Sequence, residues 1–182
     1  QIVDTRESQF FATGHLRGSV NVGLAGRYAE YAGSVINPDE DMVLVTEPGY
    51  ELEAKVRLAR IGYDRVVGWF PVDDLADVPS EVDRASRLTA PEFAARRGAV
   101  DGLQVVDVRG QGEYAINHLP EASNIPVAQL RKRLGELDAS KPTVVYCAGG
   151  YRSSIAASVL RANGFVDVSD VLGGFEAILQ TA

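Results

Sequence analysis

The chain repeats itself. Ile2-Val3-Asp4-Thr5-Arg6 matches Val105-Val106-Asp107-Val108-Arg109 at an offset of 103 (107 less 4). His15-Leu16 matches His118-Leu119 and Asn21-Val22 matches Asn124-Ile125 at that same offset. Gly62-Tyr63 then matches Gly164-Phe165 at 102, so a single insertion or deletion lies between. The period is far too long for a solenoid, and over 182 residues it implies two homologous domains. The expected division is residues 1–80, a linker over 81–86, and residues 87–182. The linker expectation rests on the polar stretch from Asp77 to Ser86, which contains Pro79. Ile2-Val3-Asp4 reads as a strand immediately after Gln1, so the first domain is expected to lack its own N-terminal part.

Each copy alternates strand and helix. In the second, Thr89-Ala90-Pro91-Glu92 combines an N-cap, a proline in the first turn and a glutamate at the third helical position. That helix is predicted to run to Gly98. A strand over Leu103 to Val108 follows, then a loop carrying Glu113-Tyr114, His118-Leu119-Pro120 and Asn124-Ile125-Pro126. Ala128 to Leu137 reads as a helix with Leu130, Leu134 and Leu137 on one face. Thr143-Val144-Val145-Tyr146 is a buried strand, Ser153 to Asn163 a helix, and Val166 to Val171 a last strand. Such alternation predicts an α/β fold: in each domain a mostly parallel sheet with helices on both faces.

Cys147 is the single cysteine, and it opens the run Cys147-Ala148-Gly149-Gly150-Tyr151-Arg152-Ser153 between a strand end and a helix start. Unpaired backbone N–H groups and the positive end of a helix favour an anion there. The thiolate is the reactive form of cysteine. Gly149 and Gly150 allow successive N–H groups to turn inward as an anion nest, and Arg152 adds a fixed positive charge. A cysteine that merely packs needs neither a glycine pair nor a neighbouring cation. Cys147 is therefore the candidate nucleophile, with Ala148, Gly149, Gly150, Tyr151, Arg152 and Ser153 as the candidate substrate- and anion-binding residues. The loop also sits at the carboxyl end of a strand, where open α/β sheets bind ligands.

Net charge of −7 argues against a nucleic-acid partner, which needs a basic surface. No apolar run is long enough to span a bilayer and no signal peptide is visible, so no membrane partner is expected. One cysteine forms no internal disulfide, which makes a reducing, cytoplasmic setting the simplest expectation. With His15 and His118 as its two histidines, the chain carries no dense ligand cluster, and no metal or other cofactor is expected in it.

These motifs resemble the rhodanese (sulfurtransferase) family in a tandem arrangement. The resemblance rests on Asp107-Val108-Arg109, the segment His118 to Ile125, the Cys147–Arg152 loop and Leu172-Gly173-Gly174-Phe175. It implies that Cys147 accepts a sulfur atom as a persulfide and that the backbone of Ala148 to Arg152 cradles it. The expected partners are small sulfur-containing anions or thiol persulfides. Four residues separate Cys147 from Arg152, whereas cysteine-dependent phosphatases of related fold have five, a wider cradle. Phosphatase or arsenate reductase chemistry is thus a weaker alternative, and a rhodanese-like module that binds without turnover is another. The pairing of domains also resembles the C-terminal region of fusion proteins with an upstream metallo-β-lactamase-fold domain of the persulfide dioxygenase type. That resemblance implies an upstream metal-binding domain in the same polypeptide and a role in sulfide or persulfide oxidation.

The first copy departs from the pattern. Cys147 falls near Val45 or Thr46, Arg152 aligns with Tyr50, and Thr46-Glu47-Pro48-Gly49-Tyr50 contains no thiol. Glu47 adds negative charge and Pro48 removes an N–H, so catalysis is expected from the second domain alone. Asp107 and Arg109 are read as structural support, because Asp4 and Arg6 repeat them beside no cysteine. His118 is read the same way, since His15 takes its place in the first copy. A cation at a helix start is disfavoured by the dipole unless it has an anionic partner, so Arg152 is expected to have one. Ser153 is expected to cap the helix or to donate toward the loop.

Overall fold

A computed structural model describes residues 1–181. The chain divides into two compact units, Gln1–Ala85 and one beginning at Ser86. In the first unit the elements are β1 (Ile2–Asp4), α1 (Ser8–Thr13), β2 (His15–Leu16), β3 (Ser19–Asn21), α2 (Tyr28–Val35), β4 (Met42–Thr46), α3 (Glu51–Ala59), β5 (Val66–Pro71) and β6 (Val82–Asp83). In the second they are β7 (Ser86–Leu88), α4 (Ala90–Ala99), β8 (Gln104–Asp107), α5 (Gln111–Ile116), β9 (Ser123–Asn124), α6 (Leu130–Arg133), β10 (Thr143–Tyr146), α7 (Tyr151–Ala162), β11 (Val168–Val171) and α8 (Gly174–Thr181).

Both units are α/β, with parallel sheets flanked by helices. The first sheet runs β3-β1-β4-β5 and the second β7-β11-β10-β8-β9, and every pairing within them is parallel. Every residue of β10 and β11 is buried, as expected of central strands covered on both faces. The second core gathers Phe93, Val105, Val144, Tyr146, Val171, Phe175 and Ile178 from α4, β8, β10, β11 and α8.

Local chemistry accounts for the boundaries. Thr89 Oγ1 accepts from Glu92 N, and the Glu92 carboxylate accepts from Thr89 N at 2.7 Å, so α4 starts with a complete capping box. The segment read as one helix over 128–137 is instead a 3₁₀ turn, the four-residue α6 and a second 3₁₀ turn (Leu134–Glu136). Gly135, a poor helix former, sits in that last turn. Glu113 and Tyr114, expected in a loop, lie on α5. The polar stretch from Asp77 to Ser86 that suggested a linker is ordered into a 3₁₀ turn over Pro79–Glu81 and then β6, which pairs antiparallel with β2. Strand β7 has no counterpart in the sequence reading. Its place is held by Arg87, whose guanidinium meets the buried Asp170 carboxylate of β11 at 2.9 Å.

Candidate active site

Cys147 follows β10 directly, and α7 begins four residues later. The bend between them is made by Gly150 at φ 96°, a left-handed conformation that suits glycine. A Cβ there would lie 3.2 Å from Gly173 N and 3.4 Å from the Val171 carbonyl, so side-chain bulk is excluded as well. Because Gly150 caps the helix, α7 starts at Tyr151, two residues before the position expected from sequence. Tyr151 and Arg152 thus belong to its first turn.

The thiol is 1% exposed and faces polar donors. Gly150 N–H donates to Cys147 Sγ at 3.1 Å, and Ser153 Oγ lies 3.5 Å from the sulfur while bonding the Gly150 carbonyl at 3.1 Å. Ser153 is fully buried beneath the thiol; Gly149 and Tyr151 are exposed and Ala148 half-buried at the rim. The N-terminal end of α7 adds the positive end of a twelve-residue dipole to the same spot.

The loop is anchored from behind. Phe175 N–H donates to the Cys147 carbonyl at 2.6 Å and Glu176 N–H to the Ala148 carbonyl at 3.2 Å. This approach needs Gly174, whose φ is 58° and whose hypothetical Cβ would overlap both carbonyl oxygens. Gly174→Ala is therefore expected to lower the unfolding free energy of the second unit by at least about 1–3 kcal/mol, read by denaturant titration.

Arg152 finds an anionic partner in Glu113 of α5, at 2.6 and 2.8 Å to its two carboxylate oxygens. Glu113 also accepts from Gly110 N at 3.0 Å. The Arg152 hydrogen bond, reinforced by that of Gly110 and by the nearby cations against modest desolvation, holds the Glu113 carboxyl down at about 2. The pair's contribution is thus complete above about 4.5, the ordinary value, and is lost as pH falls toward 2. Between pH 5 and 9 the pair is expected to stay charged, so titration of Glu113 itself is expected to contribute no limb to an activity profile in that range.

Asp107 and Arg109 form a buried ion pair at 2.6 Å, and the guanidinium also donates to the Asn117 carbonyl at 2.7 Å. The same guanidinium stacks 4.1 Å from the Phe175 ring centroid, directly beyond the residue whose N–H holds Cys147. Asn124 Nδ2 donates to the carbonyls of Asp107 and Arg109. His118 Nδ1 sits 2.8 Å from the Tyr114 carbonyl, and its ring stacks on Tyr114 at 3.8 Å; both partners lie within its own segment.

The first unit repeats the scaffold closely. Arg6 pairs with Asp4 and donates to the Gly14 carbonyl, Asn21 donates to the carbonyls of Asp4 and Arg6, and His15 stacks on Phe11 at 3.7 Å. Strand register makes the loop alignment unambiguous. Asp4 lies opposite Val45 and Asp107 opposite Tyr146, so Thr46 stands where Cys147 does. Gly49, at φ 92°, matches Gly150, and Glu51, not Tyr50, matches Arg152. The alignment of Arg152 with Tyr50 from sequence is one residue out. Here the Thr46 hydroxyl accepts from Trp69 Nε1, and Gly49 N–H donates to Glu51 Oε2 at 2.8 Å. The chain's own carboxylate takes the amide equivalent to the one that serves sulfur in the second unit.

The sequence profile of the rhodanese-like domain matches residues 1–69 and 89–181. The chain belongs to the rhodanese-like domain family. Among relatives of this rhodanese-like chain, the uncharacterized protein YqhL of Bacillus subtilis is 38% identical over 89 residues, covering 49% of this chain and 68% of YqhL. The thiosulfate sulfurtransferase GlpE of Coxiella burnetii is 35% identical over 91 residues, covering 50% of this chain and 81% of GlpE. A solved rhodanese-like domain protein from Staphylococcus aureus is 31% identical, covers 51% of this chain and 90% of its own, and superposes with a TM-score of 0.48. Among the described residues, no group of three or more His, Cys, Asp or Glu stands where it could hold a metal ion, and no helix is long and apolar enough to cross a membrane.

Proposed function

We propose that the chain is a sulfurtransferase in which Cys147 of the second unit carries a sulfane sulfur from donor to acceptor. The observation that carries this reading is the Gly150 N–H aimed at Cys147 Sγ at 3.1 Å, at the start of α7. In the first half-reaction the Cys147 thiolate attacks the outer sulfur of thiosulfate. A new S–S bond forms, the old one breaks, and sulfite leaves with its electron pair. In the second, cyanide, sulfite or a thiolate takes the terminal sulfur and regenerates the thiolate. Charge balances in both steps without an oxidant or reductant, and no cofactor takes part. The loop amides stabilise thiolate and persulfide alike, as an oxyanion hole does. A thiol that is 1% exposed reacts with a terminal, unhindered atom, which suits the outer sulfur of thiosulfate, a polysulfide or a thiol persulfide.

The family and the relatives support the chemistry, and the Coxiella relative is named for thiosulfate as its substrate. Catalysis by the second unit alone is part of the proposal, because Thr46 and Glu51 replace Cys147 and Arg152 in the first. So are a reducing, cytoplasmic setting, where a lone reactive thiol survives, and a place beside an upstream metal-binding domain in sulfide or persulfide oxidation. Sequencing the full-length gene product tests that last element directly.

Initial rates with thiosulfate and cyanide test the reaction. Parallel double-reciprocal lines, the signature of a covalent intermediate, are the expected result. Intersecting lines would exclude a free sulfur-carrying enzyme. Hydrolysis of an aryl phosphate, lost on Cys147→Ser, would favour the phosphatase reading. Absence of thiocyanate formation with any sulfane donor would leave a binding module.

A further inference from the structure

We propose that Glu113 is a positioning residue that selects sulfur donors: it holds Arg152 in place and cancels its charge, turning the Cys147 site away from multiply charged anions. The proposal rests on the sulfur-transfer reading above and names the donor class it favours, persulfides of low charge over the thiosulfate dianion.

Three observations carry it. First, Glu113 spans two segments. Its carboxylate takes both ends of the Arg152 guanidinium and the Gly110 N–H, tying the start of α5 to the first turn of α7, 39 residues away in sequence. Second, the duplicated first unit separates scaffold from chemistry. Where the Cys147 position becomes Thr46, the Arg152 position becomes Glu51 and the Glu113 position becomes Phe10. The Asp–Arg pair, the asparagine and the histidine stay the same in both units. Glu113 therefore changes together with the nucleophile and its arginine, not with the scaffold. Third, the cations flanking the loop are matched by carboxylates. Arg109 is buried against Asp107, Arg152 is matched by Glu113, and Ala148, Gly149, Gly150 and Tyr151 are uncharged. Within the Cys147–Tyr151 loop itself, the attraction for a dianion is then that of amides and a helix end.

Glu113→Gln is the informative variant. The glutamine oxygen still accepts from Gly110 N–H, while the positive charge of Arg152, in the first turn of the helix that follows the Cys147 loop, is no longer cancelled. With thiosulfate as donor, KM is expected to fall about three- to tenfold at low ionic strength. With the persulfide of 2-mercaptoethanol, a donor of lower charge, KM is expected to change by less than about twofold. The gain with thiosulfate shrinks as salt is raised from about 0.01 to 0.15 M, where screening shortens from about 30 Å to about 8 Å. A helix cap with no electrostatic role would show neither the donor difference nor the salt dependence. Equal loss of kcat with both donors, or unchanged kinetics, overturns the proposal.

A second measurement needs no turnover. Thiosulfate binding to Cys147→Ala and to the Cys147→Ala, Glu113→Gln double variant is compared by calorimetry. Tighter binding by the double variant is expected, and equal or weaker binding overturns the charge-cancelling role. Failure of sulfur transfer in the unaltered chain would sink the reaction assignment but leave this comparison decisive for Glu113.

Discussion

Cys147→Ala and Cys147→Ser are each expected to abolish sulfur transfer from thiosulfate to cyanide, by a factor on the order of 10³ or more, the scale on which loss of a covalent nucleophile shows in other enzymes. The serine variant is the sharper of the two. Its hydroxyl fits the same small, buried space and can accept from Gly150 N–H, so the loop keeps its shape. It cannot hold a transferable sulfur. Thiocyanate production is the readout, and both variants are expected to unfold at nearly the same denaturant concentration as the parent. Retention of more than about a tenth of the activity by either variant would place the carrier elsewhere.

Asp107→Ala is expected to have the largest effect on stability. It leaves the Arg109 guanidinium, 5% exposed, among Phe175, Tyr146 and a single backbone carbonyl, with only the more distant Glu113 carboxylate, already held by Arg152, to answer its charge. Removing one partner of a buried ion pair strands an uncompensated charge, which costs about 3–5 kcal/mol. The loss also reaches the active loop, because Phe175 lies under Arg109 and its N–H holds the Cys147 carbonyl. Denaturant unfolding measures the effect. The exposed pair Arg133–Glu136 serves as the control, and Glu136→Ala is expected to leave the transition almost in place. A small change at Asp107 would mean that the guanidinium reaches water once its partner is gone.

The duplicated motifs were readable because they are short-range. Asp and Arg two residues apart at a strand end, a histidine nine residues further on and an asparagine six beyond it recur in both units and form the same bonds in each. The Cys147 loop was readable for the same reason, since strand, glycines and helix follow one another in sequence. What escaped depends on partners distant along the chain. Strand β7 is three residues long, too short for a period, and becomes a strand through Arg87 meeting Asp170, 83 residues away. Glu113 read only as a loop residue, because its partner Arg152 lies 39 residues on. The loop of the first unit was misaligned by one residue because sequence between Asn21 and Gly62 offers no anchor, and only pairing of Val45 with Asp4 fixes it. The helix over 128–137 failed locally: apolar spacing suggested more turns than the residues around Gly135 sustain.

The account turns on where the transferred sulfur resides. Intact-mass and peptide mass spectrometry of the chain after brief incubation with thiosulfate answers this most directly. One added sulfur atom, located on Cys147 and removed by cyanide with release of thiocyanate, is the expected result. An unmodified Cys147 in a chain that still turns over thiosulfate, or the added atom on any other residue, would contradict it.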